Sequence, residues 1–372
     1  MKIIWSLMAS LLIGVSVRGE APPDPAAAYV APAGQLRKAS GFTNNFSGVW
    51  DGPNAAHFGS SVYAFSCKPW RIHRIQMDPA TATLSPQETL VLTNVQPLAL
   101  VYTAARKLAD GNGALYLFFS THERPGETSL YWFHLDAKTG AASLAGRLPL
   151  PGKDHTRWTL APDEKRLCAI TEGGRLTTYR FDAAGAPVEE SYTNAAKGWD
   201  RSASGCFSPD GRQIYVAAGR IDTFQCEPLS GRLTFDATLA LPKSGGVGII
   251  GARPDGKFIY VSAPTATNQM LYVLKRDPAT GALSLASGVG GFFGSPRLSE
   301  LQFRPDGTEG FYFDDGRFTW FTCDRESGAI APGAKAAGWI HKRRHVELDR
   351  AHGNLVVLGV DGVDAFKLKG AW

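Results

Sequence analysis

Apolar and polar residues alternate along most of the chain in short runs, and many of these runs follow a turn of constant composition. Pro, Asp and Gly supply the turn geometry, and the Ile, Tyr and Val that follow favour a β-strand. The Asp residues of the four clearest copies are 47, 45 and 51 residues apart. The four copies are APDEKRLCAI from Ala161, SPDGRQIYVA from Ser208, RPDGKFIYVS from Arg253 and RPDGTEGFYF from Arg304.

Weaker copies begin at His57, Ala109 and Ala351, which brings the number of units to seven. A second element recurs between the turns, and its acidic residue, Thr or Ser, and Gly are typical of a hairpin loop. A unit of roughly 50 residues with about four short strands is typical of a propeller blade. The sequence therefore predicts an all-β, seven-bladed β-propeller of four-stranded antiparallel blades, with six or eight blades as alternatives. The hairpins are DAKTGAAS from Asp136, EPLSGRL from Glu227, DPATGAL from Asp277 and DRESGAI from Asp324, with degenerate copies at Asp78 and Asp182.

The two ends of the chain predict how the ring closes. Only two strand-like runs, LVVLG and GVDAFKL, follow Gly353, whereas a blade needs four strands. The segment from Gly41 to Trp50 can supply a missing strand from the N-terminal side. A last blade built from both ends would remove exposed sheet edges.

The first residues resemble an export signal. Lys2 precedes an apolar stretch over residues 3–17, and small residues follow near Gly19. This arrangement is typical of a secretory signal peptide and is short for a membrane span, although an uncleaved anchor is the alternative. We therefore expect a signal peptide over 1–19, a Pro/Ala-rich linker over 20–39 and one propeller domain over 40–372. The expected location is secreted or periplasmic, without membrane contact after cleavage.

Composition and charge limit the classes of binding partner that we expect. The 372 residues carry 39 Lys and Arg against 34 Asp and Glu, and a net charge of +5 over this length gives no nucleic-acid footprint. The five cysteines have no zinc-site spacing, and Cys226 and Cys323 occupy equivalent positions in non-adjacent blades, so we expect that they do not pair with each other. Asn45 begins a glycosylation sequon that applies only in a eukaryotic host. We expect a monomer without cofactor or metal ion.

Candidate site residues cluster around the unit that contains Asp163. His155 and Arg157 come just before its inner strand, Glu172 follows the next strand, and Arg220 has nearly the same position one blade later. Arg344 lies in the approach to the last unit, in the segment from His341 to His345. Arginines at a channel mouth suit a carboxylate or phosphate, and a nearby Glu or His can transfer a proton. The alternatives are ion pairs between blades and, for 341–345, a solvated surface turn.

The segment DHTRWTLAPDEKRLCAITEGGRLTTYRFD, from Asp154 to Asp182, resembles the lactonase-type seven-bladed propellers. It is most similar to the fungal 3-carboxy-cis,cis-muconate cyclases and more distantly to propeller-type 6-phosphogluconolactonases. The resemblance implies that Arg157 and Arg220 hold substrate carboxylates and that Glu172 is the acidic residue of the site. The cyclases carry a His one blade before the Arg motif, where this chain has Gln96-Pro97-Leu98-Ala99-Leu100, so His155 is the nearest substitute.

Two functions are open at this stage. The first is a metal-independent enzyme that interconverts a lactone and an open-chain mono- or dicarboxylate, with Glu172 and His155 as catalytic residues and Arg157, Arg220 and Arg344 as substrate anchors. The second is a secreted propeller without catalysis that binds a carboxylated small molecule or a protein partner. A WD-type interaction platform is less favoured, because its Gly-His and Trp-Asp pairs are absent from the units.

Overall fold

The computed structural model describes residues 30–37, 55–66, 71–92, 97–121, 128–150, 156–171, 173–195, 199, 203–242, 250–264, 269–290, 298–314, 317–336, 343–359 and 362–370. Every regular element in these residues is a β-strand, and the strands form seven antiparallel sheets of four. The sheets are the blades of a β-propeller, so the predicted fold class and blade number are confirmed. No helix in the described ranges has the length and apolar character to cross a membrane.

The first four blades follow one another along the chain, and each uses four consecutive strands. Blade 1 contains β2 (Ala55–Phe58), β3 (Ser61–Ser66), β4 (Arg71–Met77) and β5 (Leu84–Val91), and blade 2 contains β6 (Pro97–Lys107), β7 (Gly113–Thr121), β8 (Thr128–Leu135) and β9 (Ala142–Leu150). Blade 3 contains β10 (Thr156–Leu160), β11 (Arg166–Thr171), β12 (Arg175–Phe181) and β13 (Pro187–Asn194), and blade 4 contains β14 (Ser204–Phe207), β15 (Gln213–Ala217), β16 (Arg220–Cys226) and β17 (Leu233–Ala240).

The last three blades complete the ring. Blade 5 contains β18 (Ile250–Ala252), β19 (Phe258–Pro264), β20 (Gln269–Arg276) and β21 (Leu283–Gly290), and blade 6 contains β22 (Leu298–Phe303), β23 (Glu309–Asp314), β24 (Arg317–Cys323) and β25 (Ile330–Ala336). Blade 7 combines β26 (Arg343–Asp349), β27 (Asn354–Gly359) and β28 (Gly362–Leu368) with β1 (Val30–Arg37). Strand β26 packs against β2 of blade 1, which closes the ring at the innermost strands.

The strand that completes blade 7 differs from the predicted one. Val30–Arg37 pairs antiparallel with β28, in a segment predicted as linker, whereas residues 41–50 lie outside the described ranges. Strand β1 is the outer edge of its sheet, and its register shifts between Pro32 and Gly34. An edge strand tolerates Pro because its outward N–H needs no partner in the ladder. A Pro/Ala-rich segment can therefore form this strand and no central one.

The core lies between the blades. All five residues of β15 are buried, whereas the outer strand β17 of the same blade is exposed at most positions. A second strand is covered on both faces by neighbouring blades, so its sequence is continuously apolar; an outer strand reaches solvent. This layering explains why the strand runs after the Pro-Asp-Gly turns were the clearest signals in the sequence.

The hairpins between third and fourth strands have the predicted turn chemistry. Asp277 Oδ1 accepts hydrogen bonds from the backbone N–H groups of Ala279 (2.8 Å) and Thr280 (2.9 Å), and Gly281 has a φ of +79°. The Thr280 and Ala279 backbone groups hold the pKa of Asp277 below its usual value. Asp is used here because its short carboxylate reaches the backbone two and three residues ahead.

In blades 2 to 6 these hairpins also fasten the blade to the one before it. A tyrosine in the second strand donates its hydroxyl proton to the carbonyl oxygen of the hairpin Gly in the next blade. In blade 3 the equivalent residue is Cys168, and Thr178, which faces it on β12, donates to Gly231 O instead (2.9 Å). The tyrosine pairs are Tyr63 with Gly140 (2.7 Å), Tyr116 with Gly185 (2.7 Å), Tyr215 with Gly281 (3.0 Å) and Tyr260 with Gly328 (2.9 Å).

Four of the five cysteines lie in described strands, and all four are free thiols. Cys226 ends β16 in blade 4 and Cys323 ends β24 in blade 6, so the prediction that they do not pair is confirmed. The signal peptide, Asn45 and Cys67 lie outside the described residues.

Candidate functional site

Strand direction sorts the loops onto two faces of the propeller. Because each blade is antiparallel, its first and third strands begin on one face, where its second and fourth strands end. We call this the top face. The Pro-Asp-Gly turns and the hairpins lie on the opposite, bottom face. The described residues line two depressions of about 100 and 500 Å³, both on the bottom face, and neither includes Arg157 or Arg220.

The structure places the three predicted arginines on the top face. Arg157 is the second residue of β10 and pairs with Ile170; it is half-buried. Arg220 is the first residue of β16 in the next blade. Arg344 lies in β26 of blade 7, where the register shifts between Arg343 and His345, so this part of the segment 341–345 is a strand and not a surface turn. His155 and Glu172, the predicted catalytic residues, lie outside the described ranges.

Arg220 is held by a buried carboxylate two residues further along its own strand. Its Nε lies 2.9 and 3.1 Å from the two oxygens of Asp222, and its Nη2 lies 2.9 Å from Oδ2. Asp222 is 1 % exposed and also accepts a hydrogen bond from Thr238 Oγ1 (2.7 Å) on β17. Charged groups are buried at tolerable cost only when they are paired and hydrogen-bonded, and Asp222 meets both conditions.

Trp199 connects this pair to the preceding blade. Its indole Nε1 donates to Asp222 Oδ2 (2.8 Å), and its backbone oxygen accepts a hydrogen bond from Gly173 N (3.2 Å). Gly173 directly follows Glu172 in the turn between β11 and β12 and has a φ of +96°, which favours glycine. The backbone of Trp199 thus contacts the turn between β11 and β12, and its buried indole contacts Asp222 in β16.

Trp199 and Asp222 were not predicted from the sequence. Asp222 had one detectable signal: residues two apart in a strand face the same side, so an acid two positions after an arginine is placed to bind it. Trp199 had none, because its contacts join two blades and follow no spacing along the chain. Arg220 thus forms an ion pair within its own strand, whereas the alternative predicted from the sequence was an ion pair between blades.

The same strand position carries related residues in two other blades. In blade 3, Arg175 donates to Thr177 Oγ1 (3.1 Å) and stacks 4.0 Å over the ring of Tyr192. In blade 1, the residue two positions after Arg71 is His73, which is 5 % exposed. Blade 4 is thus distinguished from blades 1 and 3 by a buried carboxylate beside its arginine.

His73 gives a testable pH dependence. Burial, with the nearby Arg71 charge, lowers the pKa of His73 to about 4, so the folded protein keeps this imidazole neutral. Below about pH 6.5, His73 binds a proton in the unfolded chain and stays unprotonated in the folded one. The free energy of unfolding therefore falls as the pH decreases toward 4. Between about pH 7 and pH 4.5 the contribution is on the order of 2 kcal/mol. We expect His73→Gln to lose that much less stability over this interval in urea unfolding, and an equal loss in His73→Gln and wild type would contradict the buried neutral imidazole.

The chemistry available to the described residues is anion recognition. Guanidinium groups bind carboxylates through two parallel hydrogen bonds, and the top face carries arginines at strand starts in blades 3 and 4. In the described part of the chain no group of three or more His, Cys, Asp or Glu is placed to hold a metal ion.

Comparisons with known proteins find the fold and no sequence family. No protein-family model matches the chain, and no curated protein matches its sequence. A periplasmic gluconolactonase from Pseudomonas aeruginosa superposes with a TM-score of 0.59 at 19% identity, over 76% of this chain and 84% of that one. A Bacteroides uniformis protein provisionally named a 6-phosphogluconolactonase superposes with 0.57 at 16% identity, over 81% and 83%.

A protein-binding structure is equally similar. Chaetomium thermophilum Sqt1, solved bound to the N-terminus of ribosomal protein L10, superposes with a TM-score of 0.57 at 16% identity, over 84% of this chain and 82% of Sqt1. At these identities the superpositions show the fold alone. The chain shares its overall fold with lactonase-type propellers, and its function has to be argued from the arginine site.

Proposed function

We propose that this chain is a lactonase-like propeller enzyme that interconverts a lactone and its open-chain carboxylate. One observation carries the proposal. Trp199 joins Gly173, in the turn between β11 and β12, to the ion pair of Arg220 and Asp222, and Gly173 is the neighbour in sequence of the predicted proton-transfer residue Glu172. The lactonase names among the structural neighbours support the same reaction class.

In this proposal the arginines orient the substrate and the acidic groups move protons. Arg157 and Arg220 bind the carboxylate, or stabilise the oxyanion that forms when water attacks the lactone carbonyl. Glu172 or His155 removes the proton of that water and returns it to the ring oxygen as the C–O bond breaks. Arg344, on the top face of blade 7, would bind a second carboxylate from across the ring.

A cyclase reaction of the muconate type is the finer form of this proposal. One carboxylate of an unsaturated diacid would add to the conjugated double bond, and the neighbouring carbon would gain the proton. Arginines from separate blades favour a dicarboxylate, since fixing both ends makes the addition intramolecular. The N-terminal segment extends the proposal to an exported protein that meets its substrate outside the cytoplasm.

A binding protein without catalysis is the second candidate, favoured by Gln96–Leu100, where the cyclases have a His. A ligand screen separates the two functions. We expect aldonolactones, muconates or sugar acids to raise the unfolding temperature and at least one stabilising lactone to be hydrolysed, as followed by proton release. Lactones that stabilise the protein and are never hydrolysed would favour the binding function over the enzyme.

A further inference from the structure

We infer that Asp222 and Trp199 are positioning residues, which fix the guanidinium of Arg220 for a carboxylate ligand on the top face. The inference rests on the proposed function, because it takes the ligand to be the carboxylate of that reaction. It adds two residues to the site and assigns their role to the orientation of Arg220.

Asp222 contacts side chains from three separate segments of the chain. Its two oxygens accept hydrogen bonds from Arg220 Nε, Trp199 Nε1 and Thr238 Oγ1 and form an ion pair with Arg220 Nη2, all between 2.7 and 3.1 Å. These donors come from β16, from β17 and from the connection before β14. A buried network in which every member is satisfied has one favoured arrangement. Arg220 is consequently held at its Nε edge, while its side chain stays 24 % exposed.

The repeat itself indicates that the fold does not require this carboxylate. Arg175 and Thr177 occupy the positions of Arg220 and Asp222 in blade 3, with the same four-stranded sheet around them. Thr177 there accepts the Nε hydrogen bond of Arg175 without a buried charge. Burying a carboxylate is costly, and a blade forms without it. The extra cost in blade 4 is explained if Arg220 has to be oriented more strictly than Arg175.

Trp199 connects Asp222 to the neighbouring blade. It is 3 % exposed and packs edge-on against Phe224, with the ring centroids 5.9 Å apart. Its indole nitrogen fixes Asp222, and its backbone oxygen fixes Gly173, the residue after Glu172. Trp199 therefore links Asp222 to Gly173 in the turn between β11 and β12, and its side chain is packed in the core.

Two roles for the pair predict opposite changes in anion affinity when the Asp222 charge is removed. If Arg220 acted only through its charge, Asp222→Asn would raise the positive potential and strengthen anion binding. If Asp222 orients Arg220, the same change releases the guanidinium, and anion binding weakens. A structural role alone would lower the unfolding temperature and leave the affinity of the folded protein unchanged.

The experiment uses the full chain and D-gluconate as the probe, with titration calorimetry for affinity. The variants are Asp222→Asn, Trp199→Phe, Arg220→Ala and the matched control Thr177→Ala from blade 3. A second readout is the 15N–1H resonance of the Arg220 Nε group, identified by its absence from Arg220→Lys. We expect about tenfold weaker binding in Asp222→Asn, a smaller loss in Trp199→Phe, an unchanged control, and a shifted or broadened Nε resonance in both site variants.

The outcomes distinguish this inference from the proposed function. Unchanged or tighter gluconate binding in Asp222→Asn, together with loss of binding in Arg220→Ala, would overturn the positioning role and leave the proposed function standing. An Arg220 Nε resonance unaffected by Asp222→Asn would overturn it as well. Wild-type binding in Arg220→Ala would remove Arg220 as an anchor and overturn the positioning role, and the proposed function would then depend on Arg157.

Discussion

Replacing Arg157 or Arg220 by alanine is expected to lower kcat/KM for the lactone by about 10²–10³-fold, because each change removes a donor that binds charge developing in the transition state. Both residues lie on the top face in adjacent blades, and Arg220 is held in place by Asp222. Initial rates of proton release, normalised to the folded fraction from circular dichroism, measure the effect.

The matched control is Arg232→Ala on the bottom face. Arg232 is 73 % exposed and makes only a long 3.6 Å pair with Glu227, so its removal should leave turnover unchanged. Arg220→Lys separates charge from geometry, since lysine keeps the charge and lacks the bidentate fork. We expect it to lose most of the activity while protecting the fold from an unpaired Asp222. Wild-type turnover in both alanine variants would refute the role of these arginines.

The fold was predictable from the sequence because its signals are local. The Pro-Asp-Gly turns, the Asp277-type hairpins and the apolar second strands each depend on residues close together in the chain. The closing strand was misplaced for the opposite reason: Val30–Arg37 pairs with β28 at the far end of the chain. Its outer position requires no apolar alternation, so the sequence pattern contained no trace of it.

Only those site residues whose position follows from strand register could be predicted from the sequence. Arg157 and Arg220 follow from their places at strand starts, which fixes their face of the propeller. What holds Arg220 could not be predicted, because Trp199 reaches Asp222 across a blade boundary. In blade 3, Thr178 makes the hydrogen bond between blades that a second-strand tyrosine makes elsewhere, and this could not be predicted either. Thr178 faces Cys168 on the neighbouring strand, and a contact between blades can come from either of two facing strands.

Arg253 makes an extensive side-chain contact between blades 5 and 6. Its Nε and Nη2 bind the two oxygens of Asp255 (2.9 and 2.6 Å), and Nη1 and Nη2 donate to the backbone oxygens of Asp324 (2.9 Å) and Arg325 (2.7 Å) in blade 6. The side chain is 1 % exposed and lies 4.4 Å over the ring of Phe258. Removing this guanidinium takes the side-chain donor away from all three acceptors, although Asp324 O keeps the Gly328 N–H (3.0 Å) and Asp255 Oδ1 keeps the Lys257 N–H (3.1 Å).

We therefore expect Arg253→Met to lower the free energy of unfolding by about 3–5 kcal/mol, the range for breaking a buried ion pair. The loss should fall toward the lower end, because Asp255 is one third exposed and water can solvate part of its charge. Arg304→Met is the matched control: Arg304 begins the same turn in blade 6, its side chain is 22 % exposed, and its partners include Glu309 at 3.2 Å and Lys369 O at 3.1 Å. Solvent access should limit its loss to about 1 kcal/mol. Urea midpoints at constant m-value measure both variants, and equal losses would show that burial at the boundary between blades 5 and 6 does not determine the strength of this contact.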